Sequence, residues 1–295
     1  MKIDYESLDQ CILCSSKNIR LYRSEINLSV CNDCGLIFDN PRPTLASIQH
    51  YYSQRGKYDT WLEREPVLMR QWDMMLTRIL RWIQSGRLLD VGAGIGFFLS
   101  LARQHFEVEG TELSSEAVRL ALEKFDLSLI NSELEKIKFD QPFDIITMFH
   151  VLEHLPYPNK TIEYCRTLLK SGGLLYIAVP NEPFYSLRRL LPALFSALGF
   201  NKFRSFHRCG FRKIDFSELD ELHLSHFSEP ILKNYLKNNG FTIIDSNMDP
   251  IDAFMFRRGL LQYLRWFIYA LSYGFRFLTR LNTYNSLWVV AKRDD

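Results

Sequence analysis

Four cysteines open the sequence as two pairs, Cys11 with Cys14 and Cys31 with Cys34, and sixteen residues separate the pairs. Each Cys-x2-Cys turn aims two sulfurs at one point, and four such ligands form the tetrahedral set of a zinc ion. Four thiolates leave no open coordination position, so the metal would hold structure rather than react. Two disulfides are the competing reading. The opening residues MKIDYESLDQ lack the basic start and apolar run of an export signal, which argues against oxidation and for a cytoplasmic location. Residues 1–40 are also too few to fold on apolar burial alone, so a metal staple is expected. Cys165 falls in a predicted helix and Cys209 in a basic loop, and neither has partners at ligand spacing.

A second constellation is built on glycine. Asp90, Val91, Gly92, Ala93, Gly94, Ile95 and Gly96 lie between a predicted strand and a predicted helix. Glycines there let a ligand approach the backbone at a helix N-terminus. Glu112 follows Gly92 by 20 residues, at the end of the next strand, where an acid can hold two ribose hydroxyls. The spacing is Gly-x-Gly-x-Gly, not that of a pyrophosphate binder, and no Lys-Ser/Thr follows to make a triphosphate loop. The plainer alternative is a turn that only packs helix on strand.

The third set is histidine. His150 and His154 follow the fourth predicted strand, Asn181, Glu182 and Tyr185 the fifth, and His223 and His226 sit in LHLSHF at 222–227. Loops beyond the C-terminal ends of parallel strands are where a general base belongs, and neutral imidazole suits proton removal near pH 7. His154 and His226 are the leading candidates, against the reading that one hydrogen-bonds locally and the other packs. The spacing His150-x2-Glu153-His154 also puts metal-binding groups on one helical turn, although the full ligand set is not visible.

These residues need a scaffold, and the chain supplies one. It has 295 residues, 47% hydrophobic and 24% charged, ordinary values for a globular protein with a full core. From residue 87 strands alternate with helices. Strands are predicted at 87–91, 106–111, 127–130, 143–149, 174–179, 241–246 and 286–291, and helices at 97–104, 114–125, 159–169 and 229–239. The fold class is therefore α/β: a Rossmann-like, seven-stranded, mostly parallel sheet with helices on both faces, the last two strands forming an antiparallel edge. The domain organisation reads as a zinc ribbon at 1–40, a helical bridge at 41–85, and a sheet domain at 86–295 with insertions at 182–227 and 250–284.

Four segments carry a resemblance. LLDVGAGIGFF at 88–98, GTELSSEA at 110–117, FDIITMFHVLEH at 143–154 and LKSGGLLYIAVPN at 169–181 resemble, in order, the motifs of class I S-adenosylmethionine-dependent methyltransferases. The resemblance implies S-adenosyl-L-methionine as cofactor. It implies that Gly92, Gly94 and Gly96 pass its methionine part, that Glu112 binds ribose, that Glu133 and its neighbours Ser132 and Leu134 flank adenine, that His150 lines the pocket, and that Asp90, Ala93 and Leu113 also belong to the cofactor site. The ribbon, with CNDCGLIFDNPRPT at 31–44, resembles that of sugar C-methyltransferases and of enzymes of surface-polysaccharide pathways, which implies a sugar or lipid-linked saccharide acceptor. The pair Glu153-His154 resembles metal-binding methyltransferases of quinone biosynthesis and of RNA ends, which implies instead O-methylation of a quinone-like or small aromatic acceptor. A non-catalytic interaction scaffold is the remaining reading, and the intact glycines with Glu112 argue against it.

Charge decides among partners. The formal net charge is +2, but residues 183–214 and 253–293 each carry seven Lys/Arg and no acid. Both stretches are rich in Phe, Leu and Tyr, the composition of helices lying on an anionic membrane. Peripheral membrane contact through 184–204 and 254–281 is one expectation; apolar packing on the domain or on a second copy, as a homo-oligomer, is the other. The ribbon holds four Lys/Arg against six Asp/Glu, so no nucleic-acid partner is expected.

Overall fold

The computed structural model describes residues 4–24, 27–53, 58–181, 222–250 and 260–295. The N-terminal segment forms β1 (Tyr5–Glu6), β2 (Ile19–Arg23), β3 (Leu28–Cys31), β4 (Ile37–Asp39) and β5 (Arg42–Pro43). Helices α1 (Leu45–Ser53), α2 (Asp59–Leu62) and α3 (Glu65–Ile79) follow. The sheet domain then runs β6 (Gly86–Val91), α4 (Phe97–Ala102), β7 (Phe106–Thr111), α5 (Ser115–Phe125), β8 (Phe143–Phe149), α6 (Pro158–Leu168) and β9 (Leu169–Pro180). It closes with β10 (Ser225–His226), α7 (Glu229–Asn238), β11 (Phe241–Met248), α8 (Leu260–Thr279) and β12 (Ser286–Arg293).

The central sheet has the order β11-β12-β9-β8-β6-β7. β7, β6, β8 and β9 are parallel, and β12 runs antiparallel between β9 and β11, as the composition of the last strands predicts. Among the described residues the sheet has six strands, not seven. Residues 127–130 add only a single bridge, Ile130 to Thr111. Asp126, at φ 53°, turns the chain out of α5, and Leu127 and Leu129 sink into the core. The Asn131 side chain then bonds the Glu112 and Leu113 carbonyls, which ends the pairing with β7.

Alternation along the strands covers both faces. Leu88, Ile145 and Phe149 face a core shared with Met75, Leu76 and Ile79 of α3, while Leu89, Ile146 and Met148 face a core shared with α7. The 41–85 bridge is thus not a spacer: α3 is a layer of the sheet domain. Its start is set by Pro66 in the first turn, and that of α5 by Ser114, whose hydroxyl accepts the Ala117 N–H.

The ribbon is likewise not free-standing. Its sheet has the order β10-β4-β3-β2, so its fourth strand comes from residues 225–226, far along the chain. Ile12, Leu13, Leu36 and Phe38 merge into the core under α7. Arg42, fully buried, pairs with Glu6, donates to the Pro156 carbonyl at 2.5 Å and lies over the Tyr157 ring. The stretch 184–204 and Cys209 lie outside the described residues.

Candidate functional site

The glycine turn leaves β6 at the C-terminal end of the sheet. Gly92, Gly94 and Gly96 all have positive φ, at 71°, 57° and 84°. A Cβ on Gly92 would stand 2.5 Å from Val151 Cγ2, so this turn touches the loop after β8. The Gly92 and Ala93 N–H groups bond the Thr111 carbonyl. Glu112 accepts the Gly94 N–H and the Ser114 N–H, each at 2.9 Å, which fixes its carboxylate against the turn. Leu113 is partly exposed beside it, and Asn131 ties this corner to the segment bearing Ser132 and Glu133. The Glu133 carboxylate is engaged by Gln49 of α1 at 2.6 Å and by Lys136 at 3.1 Å.

Asp90 lies beneath the turn, 3% exposed, and accepts from the Thr147 hydroxyl at 2.7 Å. Burial pushes its carboxyl up to about 7; the Thr147 hydrogen bond opposes this and the Glu112 charge adds to it. Above the turn is Trp61, whose Cζ3 would be 3.1 Å from a Cβ on Gly94, backed by an edge contact from Tyr58. Sequence periodicity places Trp61 in an apolar stripe; in the structure it is partly exposed and covers the cofactor-side turn.

The loop after β8 gathers His150, Glu153 and His154. His150 has φ 56° and donates its N–H to the Ala178 carbonyl, an unusual backbone state for a non-glycine residue. Glu153 is 2% exposed, and among the described residues neither of its oxygens has a hydrogen-bond donor. Its Oε1 lies 3.5 Å from His150 Nδ1 and 3.8 Å from His154 Nε2. Burial raises this carboxyl, but His154, His150 and His223 around it outweigh burial and hold it below its ordinary value. His154 Nδ1 is 2.6 Å from the Leu222 carbonyl, the position of a donating N–H, which directs Nε2 toward Glu153 and His223. Ligand atoms of Glu153, His154 and His223 all lie within 4.8 Å of one another. An anionic, buried oxygen pair, with a histidine whose second nitrogen is held by a backbone carbonyl, is a donor set that fits a divalent cation.

The structure therefore unites His150 and His154 and adds His223, the other histidine of LHLSHF. His226 does not join them: its Nε2 is 3.3 Å from Asp39 Oδ1 on the ribbon, and the side chain is buried there. His226 lies in β10, which pairs with β4 and so sits against the ribbon, whereas His223 lies in the segment before that strand, whose Leu222 and Leu224 are bonded to the loop after β8. Cys11 and Cys34 sulfurs are 3.6 Å apart, as are those of Cys14 and Cys31. Tetrahedral zinc with bonds of about 2.3 Å requires sulfurs about 3.8 Å apart, so the cluster fits it.

A parallel sheet with a glycine turn after one strand and an acid after its neighbour is the frame of an enzyme that binds a nucleoside cofactor. The chain belongs to the methyltransferase domain family, whose model matches residues 61–246. Among curated proteins it is 34% identical over 138 residues to the ubiquinone biosynthesis O-methyltransferase of Paraburkholderia phymatum, covering 41% of this chain and 55% of that one. A mitochondrial protein of the same name from Candida albicans is 36% identical over 110 residues, 34% of each chain. The chain thus spans about half the length of the first of these relatives. In fold it is similar to magnesium protoporphyrin IX methyltransferase from Synechocystis PCC 6803 with bound SAH, with a TM-score of 0.53 and 14% identity, over 85% of this chain and 100% of that one. It is also similar to 1,6-didemethyltoxoflavin-N1-methyltransferase from Burkholderia thailandensis, at TM-score 0.52 and 16% identity, over 93% and 99%.

Glu112→Ala removes a charged acceptor from two N–H groups of the cofactor corner, interactions worth about 1.5–3 kcal/mol each. Calorimetric titration with S-adenosylhomocysteine should show affinity weakened about tenfold to a hundredfold. Unchanged affinity would assign Glu112 to the turn alone.

Proposed function

We propose that the protein is an S-adenosylmethionine-dependent O-methyltransferase acting on a phenolic, quinone-like acceptor. The observation that carries this reading is the Glu153–His154–His223 cluster in contact, through Val151, with the glycine turn. Such a cluster beside the glycine turn would supply a base or a set of cation ligands on the acceptor side. The names of the curated relatives fit this acceptor class, whereas the saccharide reading rests on the ribbon resemblance.

The chemistry is an in-line displacement. The acceptor oxygen gives up its proton and bonds to the methyl carbon, the carbon–sulfur bond breaks, and the sulfonium leaves as a neutral thioether. Gly92, Gly94 and Glu112 hold the cofactor, and Trp61 covers its turn. His154, its tautomer fixed by the Leu222 carbonyl, presents the Nε2 lone pair toward the acceptor side. The Glu153 carboxylate, 3.5 Å from His150 Nδ1 and 3.8 Å from His154 Nε2, would stabilise the imidazolium that forms when His154 takes the proton. With a divalent cation bound, the same His154 Nε2 lone pair would instead ligate it together with Glu153 and His223, and the cation's Lewis acidity toward the acceptor oxygen would replace the imidazole base.

The test is methyl transfer from S-adenosylmethionine to a soluble catechol and, in parallel, to a nucleotide sugar, with and without added divalent cation. Transfer to the catechol is expected. Glu153→Gln should slow it about tenfold to a hundredfold while leaving cofactor affinity unchanged. Transfer to the nucleotide sugar with none to the catechol would overturn the acceptor assignment.

A further inference from the structure

Helix α8 presents an inverted amphipathic face. Its inward side carries a charge: Arg276 makes a two-pronged pair with Glu229 and donates to the Ser246 carbonyl at 2.8 Å. Ser272 is buried beside it, and Tyr269 packs edge-on against Tyr284. The outward side is apolar. Tyr263, Phe267, Leu271 and Leu278 recur at helical spacing on one face and are exposed, with Phe277 beside them; Tyr263 is 76% and Phe277 and Leu278 each 81% exposed. The helix holds only two charged residues, Arg265 and Arg276. Of the two sequence expectations, packing of apolar residues inward with arginines in water does not describe the described part of this helix.

The position of α8 gives this face a purpose. The helix lies between β11 and β12, and β12 begins with Ser286 opposite Pro180, at the C-terminal end of β9. Asn181 staples that corner by bonding the Asn282, Tyr284 and Asn285 carbonyls. The excursion therefore emerges at the same end of the sheet as the glycine turn and His150.

Charge selects the occupant. Residues 253–293 hold seven basic residues and no acid, with Arg257 and Arg258 before the helix in sequence and Arg280 after it. A second copy seated on this face would set like-charged flanks against each other. An anionic bilayer surface accepts Tyr, Phe and Leu at the headgroup boundary and neutralises flanking arginines. No described helix is long and apolar enough to cross a membrane, and Arg276 is tied to the domain. We propose that α8 lies flat in the interface of an anionic membrane, its outward face inserted, so that the site opens toward a lipid-soluble acceptor. The acceptor clause rests on the function proposed above; the membrane contact does not.

The zinc-loaded full chain is to be sedimented with vesicles of phosphatidylcholine alone and of phosphatidylcholine mixed with phosphatidylserine. Preferential binding to the anionic vesicles, weakened by salt, is expected. Phe277→Asp with Leu278→Asp, at positions too exposed to disturb folding, should reduce it at least roughly tenfold. Equal binding of wild type and variant, or no binding of wild type, defeats the proposal. So does a dimer in sedimentation velocity that this variant dissociates, since the face would then be a self-interface. Methyl transfer to the soluble catechol should be the same in wild type and variant. Its absence in both, with anionic binding intact, would reject the acceptor assignment and leave the membrane contact standing.

Discussion

Loss of the metal that the Cys11, Cys14, Cys31 and Cys34 cluster fits is expected to disable the proposed acceptor side of the site while sparing the cofactor side. Zinc on four thiolates contributes about 10–16 kcal/mol in small peptide modules, more than the short ribbon strands can replace by burial. Without it β4 loses its anchor. β4 pairs with β10, Phe38 opposite Ser225 and Ile37 opposite His226, and the Asp39 N–H bonds the Leu224 carbonyl. The same short segment bonds Glu153 through the Leu224 N–H and His154 through the Leu222 carbonyl, and it carries His223. Every residue of the candidate cation site therefore sits on, or is bonded to, the segment leading into the strand that the ribbon holds. Cys34→Ser separates this effect from loss of a cation at Glu153, which a chelator would also cause. In that variant, hydrogen exchange should show residues 222–226 deprotected and methyl transfer should fall by at least about a hundredfold, with S-adenosylhomocysteine affinity within a few fold of wild type. Retained protection at 222–226 with full turnover would show that the ribbon is a passenger.

This coupling shows what local sequence could and could not convey. The glycine turn, Glu112 and the four cysteines are legible because each depends on spacing within one short stretch. The parallel strands are legible because burial on both faces forces continuous apolar runs, as at 143–149. Pairing of β10 with β4 is not legible: two residues form no pattern, and their partner lies almost two hundred positions away. For the same reason the sequence favours His226 over His223 as a base, whereas the structure sends His223 to Glu153 and His226 to Asp39. The seventh strand shrinks to one bridge for a local reason: Ile130 bonds the backbone of Gly110 and Glu112, and the next side chain, Asn131, takes the Glu112 and Leu113 carbonyls. Helix α8 misleads in the opposite sense. Its mixture of arginine and aromatics gives no orientation until Glu229 claims Arg276.

Asp90 should make the stability of the folded protein fall as pH rises across the acid-to-neutral range. Buried under the glycine turn, its carboxyl is pushed from 3.8 up to about 7, chiefly by loss of solvent. Between these values the folded chain keeps a proton that the unfolded chain has released. The contribution of this group is thus fully present below the unfolded value and is lost as pH rises through the folded one. Only about two of the pK units between these values lie above pH 5, about 3 kcal/mol, so urea midpoints measured at pH 5 and pH 8 should move apart by that much, whereas Asp90→Asn should remove most of the difference. The Thr147 hydroxyl donates to this carboxyl and can equally serve an amide oxygen, which keeps the variant a fair comparison. A cation over the turn opposes the proton, because it favours the ionised carboxylate. S-adenosylmethionine, which carries a sulfonium charge, should therefore gain affinity between pH 6 and pH 8 relative to its neutral-sulfur product, and Asp90→Asn should cancel that gain. Identical pH profiles for the two cofactors in wild type would mean that Asp90 keeps its proton when the site is filled, and that its role is to shape the turn.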